Sequence, residues 1–161
     1  MVVKVLVHAN GQQWVTTWHL PGSVPSGRPH GSAGICVTPE GDAVLISADG
    51  IHWGLPAGRP EGSEKWEETL GREMREEACA TVLAARLLGF SRGHCIKGQE
   101  EGLVLVRAIW RADVELQPWD PQFEIRHRRV VPAADLLSHL AVDEEGYLPT
   151  YRRALIEAGL G

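Results

Sequence analysis

Apolar residues in the first third of the chain fall into short runs separated by turn-forming residues. Residues 2–8 and 14–18 are rich in β-branched and aromatic side chains, which favours strands. Asn10-Gly11 lies between these two runs and is typical of a tight β-hairpin turn. Residues 33–37 and 43–47 are apolar runs that suit buried strands. The pattern therefore predicts an N-terminal hairpin followed by the first strands of a core sheet.

The rest of the chain combines one long helical pattern with further extended runs. Apolar residues three and four positions apart predict a helix that begins after Ser63, its expected N-cap, and ends near residue 79. Strands are predicted at residues 81–90, 102–110 and 123–131, with a loop at residues 91–94 and short helices at residues 132–140 and 149–158. The long helix is the element on which the candidate chemistry lies.

Three carboxylates share one face of this helix. At 100° per residue, Glu76 lies about 60° to one side of Glu73, and Glu77 lies about 40° to the other. Like charges this close repel, which destabilises the helix unless a cation lies among them. A hard divalent ion such as Mg²⁺ or Mn²⁺ suits such a cluster of oxygen donors. The opposite face carries an apolar stripe that predicts contact with a core: Leu70, Met74 and Ala78.

The residues around these acids match a longer pattern. A run of glutamates alone is typical of a solvated helix face, but here a glycine and another glutamate stand upstream in register. Residues 58–80 resemble the box of the Nudix hydrolase family, with six of its seven fixed letters present. The matching residues are Gly58, Glu64, Arg72, Glu73, Glu76 and Glu77, with Met74 and Ala80 in the aliphatic positions. Cys79 stands where the family has glycine.

Because of Cys79, the sequence does not decide where the helix ends. In the family, the glycine ends this helix in a left-handed conformation, which costs any other residue roughly 1–2 kcal/mol. Either Cys79 adopts that conformation under strain, or the helix continues toward Val82.

The resemblance implies a fold and a division of the chain. It implies an α/β architecture, a Nudix-type α/β/α sandwich with a mixed β-sheet, in which the box forms a loop, a helix and a second loop. We expect an extra N-terminal β-hairpin and linker at residues 1–28 and the Nudix hydrolase domain at residues 29–161. The hairpin either adds strands to the same sheet or forms the contact of a homodimer.

The resemblance also implies an activity. The family hydrolyses the pyrophosphate linkage of a nucleoside diphosphate bonded to another group. We therefore expect metal-dependent hydrolysis of nucleoside diphosphate derivatives or nucleoside triphosphates, with Mg²⁺ as the ion and Mn²⁺ as the alternative. A second reading is a non-catalytic module that senses nucleotides or nucleotide sugars on the same fold. The intact set of box glutamates favours the enzyme, because a binding module has no need of all of them.

The resemblance assigns roles to residues of the box. The expected metal ligands are Glu73, Glu76 and Glu77, which are also the expected catalytic residues, together with the backbone carbonyl of Ala57. Gly58, Glu64 and Arg72 are expected to support these ligands: Arg72 can pair with Glu64 or orient Glu73.

Residues outside the helix are the candidates for the general base and for substrate contacts. Glu124 stands where the family often has another carboxylate, and Glu100, Glu101 and Asp120 are its rivals, so the base stays open. Arg59, Trp119 and Phe123 are the expected substrate-binding residues. Each of four aromatic side chains either stacks on a base or belongs to the core: Trp53, Trp110, Trp119 and Phe123.

Composition narrows the class of protein. The 161 residues suit a chain with one proper core, and the net charge of −5 argues against a general nucleic-acid-binding surface. Metal ions can still connect an acidic protein to a polyanionic nucleotide. No run approaches the ~18 apolar residues of a membrane span, and the N-terminus does not resemble a signal peptide. Three widely spaced cysteines favour neither disulfides nor zinc but a reduced, cytoplasmic setting.

Overall fold

The structure is a computed structural model that describes residues 4–140 and 148–160. Within these residues it contains eight strands: β1 Lys4–Ala9, β2 Gln12–His19, β3 Arg28–Val37, β4 Asp42–Ser47, β5 Ala57–Gly58, β6 Ala80–Lys97, β7 Val104–Leu116 and β8 His127–Pro132. The helices are α1 Trp66–Ala78, α2 Leu136–His139 and α3 Leu148–Glu157, with a 3-10 turn at Ala133–Asp135. Residues 2 and 3 of the first predicted strand lie outside the described residues.

The described strands form one mixed sheet. Their order is β1-β2-β6-β7-β3-β4-β8, and β5 pairs with β3. β3 and β7 are parallel, whereas the other paired strands are antiparallel. The hairpin is continuous with this sheet because β2 pairs with β6 from Gln13 to His19. It therefore adds strands to the sheet, while the homodimer contact and the boundary at residue 28 stay predictions.

Helices cover both faces of the sheet. On one face, Leu70, Met74 and Ala78 of α1 are fully buried against side chains of β3, β4, β6 and β7. On the other face, α2 and α3 pack Leu136 and Leu155 against β3, β4 and β8. This arrangement confirms the α/β/α sandwich and the apolar stripe of the long helix. None of the helices in the described part of the chain is both long and apolar enough to cross a membrane.

Several of the sequence-based boundaries are wrong. The loop predicted at residues 91–94 lies inside β6, a strand of 18 residues, and pairs with β2 on one side and β7 on the other. Backbone hydrogen bonds to two neighbours outweigh the turn-forming tendency of one serine and one glycine. The same pairing carries β7 on to Leu116. The helix predicted at residues 132–140 is a 3-10 turn followed by the four residues of α2.

The start of α1 also differs from the prediction. Lys65, rather than Ser63, is the N-cap residue. The Glu68 side chain accepts a hydrogen bond from the Lys65 backbone N–H at 3.0 Å. Glu64 accepts one from the Glu61 backbone N–H at 2.8 Å. These carboxylates satisfy backbone N–H groups at and before the N-cap, and their charge suits the positive end of the helix dipole.

At its other end, α1 stops at Cys79, which has φ 49° and ψ 46°. In this left-handed conformation the Cys79 N–H donates to the Met74 carbonyl. The Arg128 Nη1 donates to the carbonyls of Ala78 and Gln117, both at 2.9 Å. A cationic donor suits the negative end of the helix dipole and satisfies a terminal carbonyl. The helix therefore ends as the family's glycine would end it, and Cys79 bears the steric strain.

We predict that Cys79→Gly raises the free energy of unfolding by roughly 1 kcal/mol, because glycine adopts a positive φ without the clash of a Cβ. Cys79→Ala is the matched control, since it keeps the Cβ but removes the Sγ, which lies 3.6 Å from the Asp120 carbonyl oxygen. Denaturant midpoints of the three proteins give the comparison. A Cys79→Gly variant less stable than Cys79→Ala would contradict the strained helix end.

Candidate active site

One guanidinium group, that of Arg72, joins the acids of α1 to the preceding loop. Its Nη1 donates to Glu73 Oε1 at 2.7 Å and to Glu76 Oε2 at 3.1 Å. Its Nε and Nη2 donate to the two oxygens of Glu64 at 2.8 and 2.9 Å. Nη2 also donates to the Arg59 carbonyl at 2.8 Å. The contacts that the sequence suggested, with Glu64 and with Glu73, are both present, and the Arg72 side chain is 14% exposed.

The Glu64 carboxylate secures this arginine. Besides the bonds from Arg72, it accepts hydrogen bonds from the Glu61 N–H at 2.8 Å and from the Thr69 hydroxyl at 3.1 Å. These bonds, led by those from Arg72, lower the pKa of Glu64 to about 2. Glu64 is therefore charged at neutral pH and holds Arg72 in a fixed orientation toward α1.

Gly58 lies directly against the Glu73 carboxyl group. It belongs to β5, where it is the partner of Ser32 in β3. A Cβ at Gly58 would overlap the carboxyl carbon and both oxygens of Glu73. Glu73 is only 9% exposed, so the carboxyl group has little space to withdraw. Glycine is therefore the residue that allows the loop to pass this close to α1.

Glu77 is turned toward the same loop. Its Oε1 accepts a hydrogen bond from the Ala57 N–H at 2.7 Å. Burial raises the pKa of Glu77 to about 7; the Ala57 N–H opposes the rise, and the charges of Glu73 and Glu124 add to it. Burial also raises the pKa of Glu73, against the opposing effect of Arg72. Both acids lie in surroundings that disfavour their charge, and a nearby cation would restore it.

The three glutamates do not enclose a metal ion in this arrangement. Within residues 4–140 and 148–160, no group of three or more His, Cys, Asp or Glu side chains could hold one. Arg72 engages one oxygen each of Glu73 and Glu76, and the Ala57 N–H engages one of Glu77. Every carboxylate has a second oxygen, and oxygen donors are the ligands that Mg²⁺ and Mn²⁺ prefer. These oxygen donors therefore fit such an ion, although in this arrangement Glu73 and Glu76 bind the Arg72 guanidinium.

A cavity of about 520 Å³ lies next to the loop that contacts the acids, although Glu73, Glu76 and Glu77 are not part of its lining. Two residues of its lining are bonded to the cluster: the Ala57 N–H donates to Glu77, and the Arg59 carbonyl accepts from Arg72. Arg59 was one of the predicted substrate-binding residues. The cavity therefore opens beside the acids and shares its wall with the loop that holds them.

The other two predicted substrate-binding residues lie elsewhere. Trp119 is not part of the cavity lining; its ring is 5.2 Å from the Arg128 guanidinium carbon. Phe123 is also outside the lining and is 49% exposed. A substrate role for these two rings stays a prediction that the cavity does not support.

Several residues of the cavity were not expected from the sequence. They come from three strands: Trp14 and Thr16 from β2, His30 from β3 and Arg107 from β7. The alternation of Trp14, Thr16 and Trp18 does indicate one face of a strand. The pattern does not say what that face meets, because the pairing of β2 with β6 joins segments about 80 positions apart.

The four candidates for the general base are in different places. Glu124 is exposed, and its charge contributes to the raised pKa of Glu77. Glu100 lines the cavity. Glu101 and Asp120 are exposed and do not belong to the lining. Of the four, Glu124 is the carboxylate whose charge acts on an acid of the cluster.

A layered sheet with a glutamate-bearing helix on one face defines the class of Nudix hydrolase domains. Comparison with protein families matches residues 28–153 to the NUDIX domain, which is most of the chain. The chain therefore belongs to the Nudix family. The family match supports a hydrolase that acts on phosphoric anhydrides. A search of curated protein sequences found no match.

Solved structures share the fold. A mutant of the Bacillus subtilis pyrophosphohydrolase BsRppH has a TM-score of 0.70 at 23% identity, covering 91% of this chain and 93% of that one. A NUDIX hydrolase from Nitrosomonas europaea has a TM-score of 0.58 at 16% identity, with 82% and 89% covered. A MutT structure from work on Aliivibrio salmonicida and Vibrio cholerae has a TM-score of 0.52 at 20% identity, with 78% and 93% covered. These likenesses show the fold.

The contact between Gly58 and Glu73 predicts a position-specific effect. Gly58→Ala should lower the free energy of unfolding by about 1–3 kcal/mol, because the added methyl overpacks the loop against the carboxyl group. Gly54→Ala is the matched control, since a Cβ there meets no atom within 4 Å. In a Glu73→Ala background, which makes room, the cost of Gly58→Ala should largely disappear. An equal cost in both backgrounds would contradict the contact.

The raised pKa of Glu77 predicts a pH dependence of stability in metal-free protein. A carboxyl group whose pKa is raised on folding contributes most below its unfolded pKa, and that contribution is lost as the pH rises through the folded pKa. Melting temperature should therefore fall between pH 4.5 and about 7. Glu77→Gln should flatten this fall, whereas Glu67→Gln, which removes a charge from an exposed position of α1, should not. Parallel curves for wild type and Glu77→Gln in the presence of a chelator would rule out the effect.

Proposed function

We propose that this protein hydrolyses the pyrophosphate linkage of nucleoside diphosphate derivatives or nucleoside triphosphates, in a reaction that depends on a divalent metal ion. The observation that carries the proposal is the cluster of Glu73, Glu76 and Glu77 beside a cavity of nucleotide size. A diphosphate repels a nucleophile through its own charge, so its hydrolysis requires positive charge at the reacting phosphates. The named activity of the pyrophosphohydrolase BsRppH, which shares the fold, supports this reaction type.

Mg²⁺ is the proposed ion, with Mn²⁺ as the alternative. Glu73, Glu76, Glu77 and the backbone carbonyl of Ala57 would hold it, because all four supply oxygen donors of the kind these ions prefer. When bound, such an ion neutralises phosphate charge and acidifies a bound water. Arg72 contributes by holding Glu73 and Glu76 against the helix while their second oxygens stay available as donors.

The remaining roles follow from charge and position. Glu124 is the proposed general base, because it is open to water and its charge reaches the cluster at Glu77. Arg59 lines the cavity beside the acids, and a guanidinium suits a phosphate oxygen. These side chains would orient water and phosphates for in-line attack, which is most of what phosphoryl transfer requires from a protein.

We predict that Glu76→Gln and Glu77→Gln each lower the turnover number by about 10²-fold or more, because each removes a charge that stabilises the transition state. Both proteins should stay folded, with metal-free melting temperatures equal to or above wild type, since mutual repulsion is relieved. Glu67→Gln, on the exposed side of the same helix, should keep wild-type turnover. Phosphate release from nucleoside triphosphates, nucleotide sugars and dinucleotides, with Mg²⁺ or Mn²⁺, is the measurement.

Two outcomes of that assay would contradict the proposal. Full activity in either glutamine variant would mean that the substituted glutamate is not required for the reaction. Nucleotide binding without any phosphate release would favour the non-catalytic sensor, a reading that the closure of the acids on Arg72 also suits.

Two further properties belong to the same proposal. A cytoplasmic setting fits the three cysteines, which are all free thiols, two of them buried. A homodimer through the hairpin fits the position of β1 at the outer edge of the described sheet, where Leu6 is 50% exposed. Molar mass measured in solution tests the homodimer.

A further inference from the structure

The cavity beside the acids has two chemically different ends. At the end next to the box loop, Arg59 and Arg107 supply positive charge. Arg107 is close enough to Glu77 to lower its pKa, against the larger effect of burial. Burial, with the charges of Arg107 and Arg59, lowers the pKa of His30 to about 4, so this imidazole is neutral at pH 7. This end therefore suits an anionic group close to the acids.

The opposite end is formed by the N-terminal hairpin. Trp14 and Thr16 lie on one face of β2 and belong to the cavity lining. The Trp14 ring leans over Gly93 of β6: a Cβ added at Gly93 would lie 3.5 Å from the indole Cε3. Because Gly93 has no side chain, the floor beside the indole stays open. This wall lies before the part of the chain that matches the NUDIX domain, residues 28–153.

The register of the sheet sets the distance between the two ends. Thr16 is opposite Gly93 of β6, and Gly93 is opposite Leu105 of β7. Arg107 lies two residues further along β7, on the same face as Leu105. The backbones of β2 and β7 are therefore two strand spacings apart, roughly 10 Å. Trp14 is opposite Cys95 and Arg107 is opposite Ser91, so the two residues are also four positions apart along the strands, roughly 13 Å. Their backbones are thus roughly 16 Å apart, and the long indole and guanidinium side chains leave a nucleotide-sized gap between them.

The hairpin wall is fixed in place before any ligand arrives. Gln12 Oε1, at the start of β2, accepts a hydrogen bond from the Glu100 backbone N–H at 2.7 Å. A Cβ at Gly98 would overlap the Gln12 side chain, so the turn after β6 lies close against the hairpin. Together with the pairing of β2 and β6, these contacts hold Trp14 at a defined position above the sheet.

We infer that the N-terminal hairpin is the base-recognition wall of the active site, with Trp14 stacking on the nucleobase and the phosphate end directed toward Arg107 and Arg59. An indole offers a flat face for any base. The Thr16 hydroxyl beside it donates to the Val5 carbonyl at 3.3 Å, so its oxygen remains a hydrogen-bond acceptor. The inference rests on the proposed function only for the direction of the phosphates. Binding of the nucleoside does not require that hydrolysis follow.

Calorimetric titration of the full chain with AMP, GMP, CMP and UMP, in the presence of Mg²⁺, tests the inference. Wild type should bind at least one of the four. Trp14→Ala should weaken that binding by roughly 5- to 150-fold, the range expected when one stacked base loses its aromatic partner. Trp14→Phe should stay within a few-fold of wild type, because it keeps a ring. Thr17→Ala, on the opposite face of β2, should bind as wild type does.

A second variant distinguishes the loss of stacking from the loss of the folded structure. Trp14→Leu keeps a large apolar side chain without an aromatic face, so it should weaken binding as Trp14→Ala does while its melting temperature stays nearer to wild type. Equal affinities for wild type, Trp14→Leu and Trp14→Ala would overturn the inference, as would wild type that binds none of the four nucleotides.

Kinetics separate this inference from the proposed function. For nucleoside triphosphates, Trp14→Ala should lower kcat/KM by the same 5- to 150-fold, mainly through KM. For inorganic tripolyphosphate, which has an anhydride but no base, the variant should match wild type. Trp14-dependent binding without phosphate release would leave the hairpin wall intact and overturn the proposed hydrolysis. Phosphate release that Trp14→Ala leaves unchanged on every substrate would overturn the hairpin wall and leave the proposed hydrolysis intact.

Discussion

The structure depends on one positive group placed among like charges. Glu73 and Glu76 share a helix face, where their repulsion alone would destabilise the helix. Arg72 donates to both, and its other nitrogens are held by Glu64 and by the Arg59 carbonyl. The planar guanidinium can make these contacts together because its five N–H donors point in fixed directions. Two of the acids, Glu73 and Glu76, are therefore connected to the box loop and the cavity wall by a single side chain, while Glu77 is held by the Ala57 N–H.

That arrangement requires the helix to lie very close to the strands beneath it. Gly34 of β3 lies under α1, and a Cβ there would come within 2.9 Å of the Met74 Sδ. In the same way, the absence of a side chain at Gly58 leaves room for the Glu73 carboxyl group. At the far end of α1, Arg128 satisfies the last carbonyls while Cys79 turns the chain back toward β6. Because α1 packs closely on β3 and β5 and ends at a defined residue, the acids that it carries have little freedom to move as a group.

The active-site region combines this rigid cluster with a wall from a distant part of the chain. The acids and Arg59 come from the box, whereas Trp14 comes from a hairpin that precedes the matched domain. The sheet connects them, because β2 pairs with β6 and β6 with β7. A phosphate-directed end and a base-directed end thus lie on one continuous sheet. Changes in the hairpin can then alter substrate choice without disturbing the acids.

The amino-acid sequence by itself determined the elements whose signal lies within a few residues. The spacing of Glu73, Glu76 and Glu77, the stripe opposite them and the Asn10-Gly11 turn all depend on local geometry, so they could be predicted. Tertiary structure decided the length of β6, the left-handed conformation of Cys79 and the position of Trp14 beside the cavity. The physical reason is that these features depend on hydrogen bonds and packing between segments far apart in the chain, which override local preference.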